Sequence, residues 1–217
     1  LSLSIFSLLM IGVFFKNSYN LIVKLSLLTL IITSLILVNS DLETVKIFKD
    51  SFIKDPFSKF IKLMLVASSV FILNASQTFI KDKKLNYFEY PIIILISILG
   101  MFIMVSSHDL ILFYLGLELQ SLSLYILASI DRDNIKSSES GIKYFVLSAL
   151  SSGLLLYGCS LIYGFCGSTN FDIIAIELTS ENTGAIFAMV FILVGLSFKV
   201  AAVPFHMWTP DVYEGSP

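Results

Sequence analysis

The sequence predicts an all-α fold, a polytopic transmembrane bundle of about seven helices whose seventh helix is broken. Three observations carry this expectation. Of 217 residues, 56% are hydrophobic and only 14% are charged, and the mean hydropathy is +0.89, whereas a soluble domain carries roughly 25% charged residues. Apolar runs recur at lengths suited to membrane spans, which need about 20 residues each. The last run contains a proline, Pro204. A chain this apolar cannot clothe a soluble surface, so a soluble single-core enzyme is excluded.

The apolar runs fall at 1–15, 21–39, 60–80, 91–107, 110–130, 141–165 and 184–208. The first is short and reads as truncated. The chain starts at Leu1 with no basic flank, which argues against a secretory signal and for a missing or unusual start. Polar connectors separate the runs at 16–20, 40–59, 81–90, 106–109, 131–140 and 167–183. None has the low-complexity signature of a disordered linker. In the tight connector, His108 and Asp109 read as a turn and helix cap. The Asn74-Ala-Ser76 sequon lies within an apolar helix and carries no meaning. The expected units are 1–88, holding three transmembrane helices, and 89–217, holding helices four to seven.

Lys and Arg near helix ends set orientation. Alternate connectors put Lys16, Lys24, Lys81, Lys83, Lys84, Arg132, Lys136 and Lys143 on one side, and Lys46, Lys49, Lys54, Lys59 and Lys62 on the other. The richer side is expected to face the cytoplasm or matrix, with the N-terminus outside and the C-terminus inside. The odd helix count and the end at Gly215-Ser216-Pro217 make the chain look unfinished, through a split gene or a cut chain. Thirteen of fourteen basic residues are Lys, as in an AT-rich genome such as a mitochondrial one.

Net charge is −2 and the basic residues are scattered, which argues against nucleic-acid binding. Cys159 and Cys166 are seven apart, neither a CxxC pair nor a four-ligand set, and read as small buried residues. There is no phosphate-binding glycine loop, His/Cys metal cluster, or flavin or nicotinamide fingerprint. The chain is therefore expected to hold no redox cofactor or metal.

Charges persist within hydrocarbon mainly where they face a bundle interior or hydrated cavity. Glu118 lies about 12 Å along its helix from the polar start, too deep for its short stem to reach water. Tyr114, Glu118, Ser121 and Tyr125 share one face, while Gln120 lies on another. Lys199 lies about 22 Å from the start of the last run and about 13 Å from its end. Desolvation there favours the neutral amine, and a neighbouring carboxylate favours the ammonium. A Glu–Lys pair of variable geometry is thus a switch for proton uptake and release. Pro204 cannot donate to the Val200 carbonyl and its ring crowds that turn, so the helix should break close to Lys199, as helices do at transporter ion sites.

His206 shares the Lys199 face if the helix continues through Pro204, and titrates near physiological pH. Lys143 enters the sixth helix after Glu139, with Ser148, Ser151 and Ser152 beyond it. Blander readings stand beside these: Lys199 as a snorkelling side chain, Glu118 as a neutral structural carboxyl, Lys143 as a positive-inside anchor, and His206 as an interfacial residue beside Trp208.

The stretches EYPIIILISILG (89–100), LGLELQSLSLY (115–125), ESGIKYF (139–145), SSGLLLYG (151–158) and FKVAAVPFHMWTPDVYEGSP (198–217) resemble subunit 2 of mitochondrial respiratory complex I. Any one piece also suits the related subunits 4 and 5 or the multisubunit cation/proton antiporters. The LELQSL and WTPDVYEG runs together favour subunit 2. The resemblance is close over 89–217 and extends to the earlier helices only by hydropathy and order. It implies the first half of a fourteen-helix antiporter-like fold in the mitochondrial inner membrane, serving a proton-translocating NADH:ubiquinone reductase. In that family a fifth-helix Glu pairs with a seventh-helix Lys on a broken helix. Glu118, Lys143 and Lys199 match the relay and Pro204 matches the break. His206 is a further candidate. The relay residues of the eighth and twelfth helices are absent. Implied partners are other membrane-arm subunits, membrane lipid and a second chain carrying the C-terminal half. NADH, FMN, iron–sulfur clusters and ubiquinone would bind other subunits.

Overall fold

The computed structural model describes residues 1–15, 18–41, 43–178 and 183–217. Lys16, used above for orientation, lies outside them. Helices α1 (Ser2–Phe14), α2 (Tyr19–Val38), α3 (Pro56–Asp82) and α4 (Glu89–Ser106) form the first half. A two-stranded antiparallel hairpin, β1 (Val45–Ile47) and β2 (Phe52–Lys54), joins α2 to α3 with Val45 opposite Lys54. Then come α5 (Leu110–Ala128), α6 (Ile135–Cys166), a short α7 (Phe171–Glu177), α8 (Thr183–Lys199) and α9 (Trp208–Gly215). Among the described residues five helices, α2 to α6, are long and apolar enough to cross a membrane, and α1 and α8 are shorter apolar helices.

Local chemistry sets the helix starts. Asp55 and Ser58 form a capping box at α3, with Pro56 in its first turn. Asp109 accepts from the Ile111 and Leu112 amides at α5, confirming the expected cap. Asn134 and Asn170 cap α6 and α7 in the same way. The sequence reading differs from the structure in its connectors: the 40–59 segment holds the hairpin, and α7 lies within 167–183. Both are too short to show a periodic apolar pattern.

One core joins α1 to α4 through Leu8, Ile22, Leu30, Leu73, Leu95 and Ile98. A second joins α5 to α8 through Leu117, Leu155, Ile162, Ala185, Ala188 and Ile192. Between them α4 and α5 meet at Gly100 and Gly116. A Cβ at Gly116 would lie 2.7 Å from the Met104 amide nitrogen, and one at Gly100 would lie 2.6 Å from that of Gln120. Small residues allow this backbone approach, which is how helices pack without a hydrophobic force between them. The outward side chains are large and apolar, including Phe6, Phe14, Phe71 and Leu150, whereas most of the buried polar residues are serines.

The connectors segregate onto two faces. On one, the hairpin meets the α4–α5 turn, with the His108 amide donating to the Ser51 carbonyl, and that turn meets α7 through the Leu110 amide and Thr169 carbonyl. On the other, Tyr19, Ile80 and Leu85 cluster with Ile130, and α9 lies against the start of α6. The second face carries the larger set of basic residues and is called the lysine-rich face below.

Candidate functional site

The site assembles where α5, α6 and the end of α8 converge. Glu118, Ser121 and Tyr125 follow one stripe of α5, as their helical spacing predicts. Ser148 and Ser152 stand one turn apart on α6. Lys199 is the last residue of α8.

The end of α8 has a specific geometry. The Ala202 amide donates to the Ser197 carbonyl and the Ala201 amide to Phe198, with Ala201 left-handed at φ 53°. This is a Schellman-type stop. Pro204 bars continuation, and the chain turns through 200–207 before α9 begins. Trp208 stacks on Tyr144 at 4.7 Å and donates its indole N–H to the Phe198 carbonyl. The helix end thus presents its partial negative charge beside the Lys199 ammonium, a favourable arrangement.

The Lys199 Nζ donates to Ser148 Oγ at 2.8 Å, Tyr125 Oη at 3.2 Å, and Glu118 Oε1 and Ser121 Oγ at 3.4 Å. Ser152 donates to the same Glu118 oxygen in a short hydrogen bond. Tyr125 donates to Ser148 at 2.5 Å. The side chains of Lys199 and Glu118 are only 12% and 20% exposed. Glu118 and Lys199, which the sequence places deep within apolar runs, are therefore one ion pair, enclosed by four hydroxyls. A protonated amine that touches a carboxylate and several hydroxyls has both a charge partner and neutral donor–acceptor groups through which a proton can leave.

The other candidates lie elsewhere. Lys143 pairs with Glu139 and with Asp211 of α9, each at 2.8 Å, and is half-exposed. It ties α6 to α9 on the lysine-rich face; Asp211, its second partner, carried no sequence signal of that role. His206 is exposed in the turn after α8. The helix does not continue through Pro204, so the shared face with Lys199 is not formed. Tyr114 lines an apolar cavity of about 420 Å³ between α5, α6, α7 and α8. Ser151 donates to the Gly195 carbonyl and joins α6 to α8. Gln120 lines a crevice on the far side of α5, the different face expected of it. Cys159 and Cys166 are free and buried. Among the described residues no cluster of three His, Cys, Asp or Glu is placed to hold a metal ion.

A second polar cluster sits on the hairpin face. Asp172 of α7 accepts from Lys46 of β1 at 3.1 Å and lies 2.9 Å from His108 Nε2. His108 and Lys46 hold its carboxyl below the usual carboxylate range. Sequence reading missed this cluster because its members come from three connectors.

Residues 107–217 match the family described as NADH:quinone oxidoreductase/Mrp antiporter, TM. NADH-quinone oxidoreductase subunit N of Pelagibacter ubique is 56% identical over 218 residues, covering 100% of this chain and 46% of that protein. Subunit N is the bacterial counterpart of subunit 2, so the resemblance drawn from the sequence is borne out. A chain of respiratory complex I from Thermus thermophilus, solved with bound aureothin, superposes with a TM-score of 0.82 at 28% identity, covering 100% of this chain and 46% of that one. A chain of the Mrp complex from Dietzia shares the fold, with a TM-score of 0.74 at 21% identity over 99% of this chain and 42% of that one. The chain spans about half the length of the curated relatives it matches. These relatives are bacterial, and they lend no support to the mitochondrial placement expected from composition.

Proposed function

The chain belongs to the NADH:quinone oxidoreductase/Mrp antiporter transmembrane family, and from that premise we propose that it serves as a proton-translocating membrane-arm subunit of an NADH:quinone oxidoreductase. The observation that carries the reading is the enclosed contact of Lys199 with Glu118 and Ser148 at the end of a broken helix. Close to Glu118, Lys199 holds its proton. When electron transfer elsewhere in the complex shifts the 200–207 turn or α5, the pair separates and the ammonium gives its proton to the hydroxyls around it. Lys143 serves as a relay at the lysine-rich surface by the position the family resemblance assigns, and His206, exposed in the turn after α8, as a secondary one at that surface. On this reading the chain's partners are other membrane-arm subunits. NADH, FMN, iron–sulfur clusters and quinone act on separate subunits.

The lysine-rich face is assigned to the cytoplasm by the positive-inside rule, with the N-terminus outside and the C-terminus inside. The bacterial relatives support a bacterial energy-coupling membrane; in a mitochondrion the same face would meet the matrix. Replacing Lys199 with Met in the assembled complex should lower the proton yield per electron without removing the membrane arm. A normal yield in that variant overturns the reading.

A further inference from the structure

A second cavity, of about 540 Å³, opens on the lysine-rich face between the start of α4, the end of α5 and the start of α6. Tyr87, Glu89 and Arg132 stand at its mouth, Ser129 and Ser138 line its wall, and Tyr125 lines it one helical turn further in. Among the described residues Tyr125 alone both lines this cavity and contacts Lys199. Its ring is held edge-on by Tyr144 at 4.7 Å and by Phe145 at 5.7 Å, so the hydroxyl is the part free to reorient. We infer that Tyr125 is the positioning and proton-passing residue between the lysine-rich aqueous face and Lys199, with this cavity as the entry vestibule.

The inference rests on the proposed proton-translocating role and adds a route to it. The observed geometry is the loaded state, in which Lys199 donates to Tyr125 and Tyr125 donates to Ser148. When Lys199 is neutral its lone pair becomes an acceptor, and the Tyr125 O–H can turn toward it. A proton from cavity water then bonds to the Tyr125 oxygen as that oxygen's own hydrogen passes to the amine. Tyr125 ends neutral, Lys199 ends as an ammonium, and the cavity has lost one proton. Glu89, half-buried at the mouth, places a carboxylate where it draws protons from bulk water. Arg132 lies 5.9 Å from the Tyr87 ring, as in a cation–π contact, which steadies the rim.

The test uses the whole complex in inverted vesicles that expose the lysine-rich face. Tyr125→Phe keeps the ring and removes the hydroxyl. It should slow proton translocation by at least about tenfold, short of the roughly 100-fold that a positioned proton-transfer group commonly contributes, because water fills part of the gap. In parallel, Ser129→Cys is compared before and after a charged, membrane-impermeant methanethiosulfonate reagent. Modification from the lysine-rich side should cut the proton yield toward that of Lys199→Met, and reagent on the opposite side should leave it as it was. That sidedness tests the cavity as the entry route, and it does so even if Tyr125→Phe fails to assemble. Normal translocation in Tyr125→Phe, or modification equally effective from both sides, overturns the route while a low yield in Lys199→Met keeps the translocation reading. A normal yield in Lys199→Met removes both.

Discussion

Replacing Lys199 with Arg separates the two things its side chain does. At the observed 3.4 Å and an effective dielectric of about 20, the attraction between Lys199 and Glu118 is about 5 kcal/mol. Arginine keeps that attraction, but its guanidinium never gives up a proton. The Arg variant should therefore assemble with near-normal thermal stability yet translocate as poorly as Lys199→Met. The Met variant loses the cation and leaves Glu118 enclosed with Ser152 as its donor, a kind of loss that runs to about 3–5 kcal/mol in buried pairs. Adding Glu118→Gln to Lys199→Met removes the stranded charge and should restore most of that stability. The assays are proton yield per electron in reconstituted vesicles and thermal unfolding of the purified complex for the single variants, the Arg variant and the double variant. Normal proton yield with Arg would show that the pair is only an electrostatic strut. Strictly additive stability losses in the double variant would show that the two side chains are not coupled, contrary to their contact.

Gly116→Leu drives a side chain into the α4 backbone at Met104 and should destabilise the bundle by at least about 1–3 kcal/mol, seen as a lower melting temperature and less assembled protein. Ala201→Gly relieves a left-handed alanine at the end of α8 that costs about 1–2 kcal/mol. Part of this gain is offset by the freer unfolded chain, so the melting temperature should rise slightly. Asp172 has a folded-state pKa below its ordinary value of 3.8, so its stabilisation is present above that value and is lost as pH falls through the lowered one. Protection of the α7 amides, taken relative to the intrinsic exchange rate at each pH, should therefore fall below about pH 4, and Asp172→Asn should remove this dependence; a protection profile unchanged by the substitution would refute it.

Much of the site was legible in the chain because its signals are local. Glu118 and Lys199 stand out by depth within apolar runs, and the α5 stripe follows from helical spacing. The break near Lys199 followed from Pro204 alone. His206 was placed on the Lys199 face only if the helix ran on, and the Schellman stop at Ala201 ends it first. Lys143 could be seen, but not Asp211 as its partner, since nothing in the sequence folds α9 back onto α6. Lys62 entered the reading only as one of the basic residues near helix ends, yet it is buried on α3 with its Nζ 5.2 Å from the Phe52 ring and 5.9 Å from that of Phe102. The hairpin that supplies Phe52 was invisible to hydropathy.

The sequence by itself determined that this chain is a bundle of apolar helices, because in lipid each spanning segment must satisfy its own backbone and so must be long, apolar and helical. It also marked Glu118 and Lys199 as charges set deep within apolar runs, though not the buried Lys62. Only the tertiary structure decided which groups meet. Ser152 lies 34 positions from Glu118 and Lys199 lies 81 positions from it, yet both touch it. Their meeting depends on the rotation of each helix about its axis and on close approaches such as that of Gly100 to Gly116. Those are properties of pairs of surfaces, which no single helix encodes.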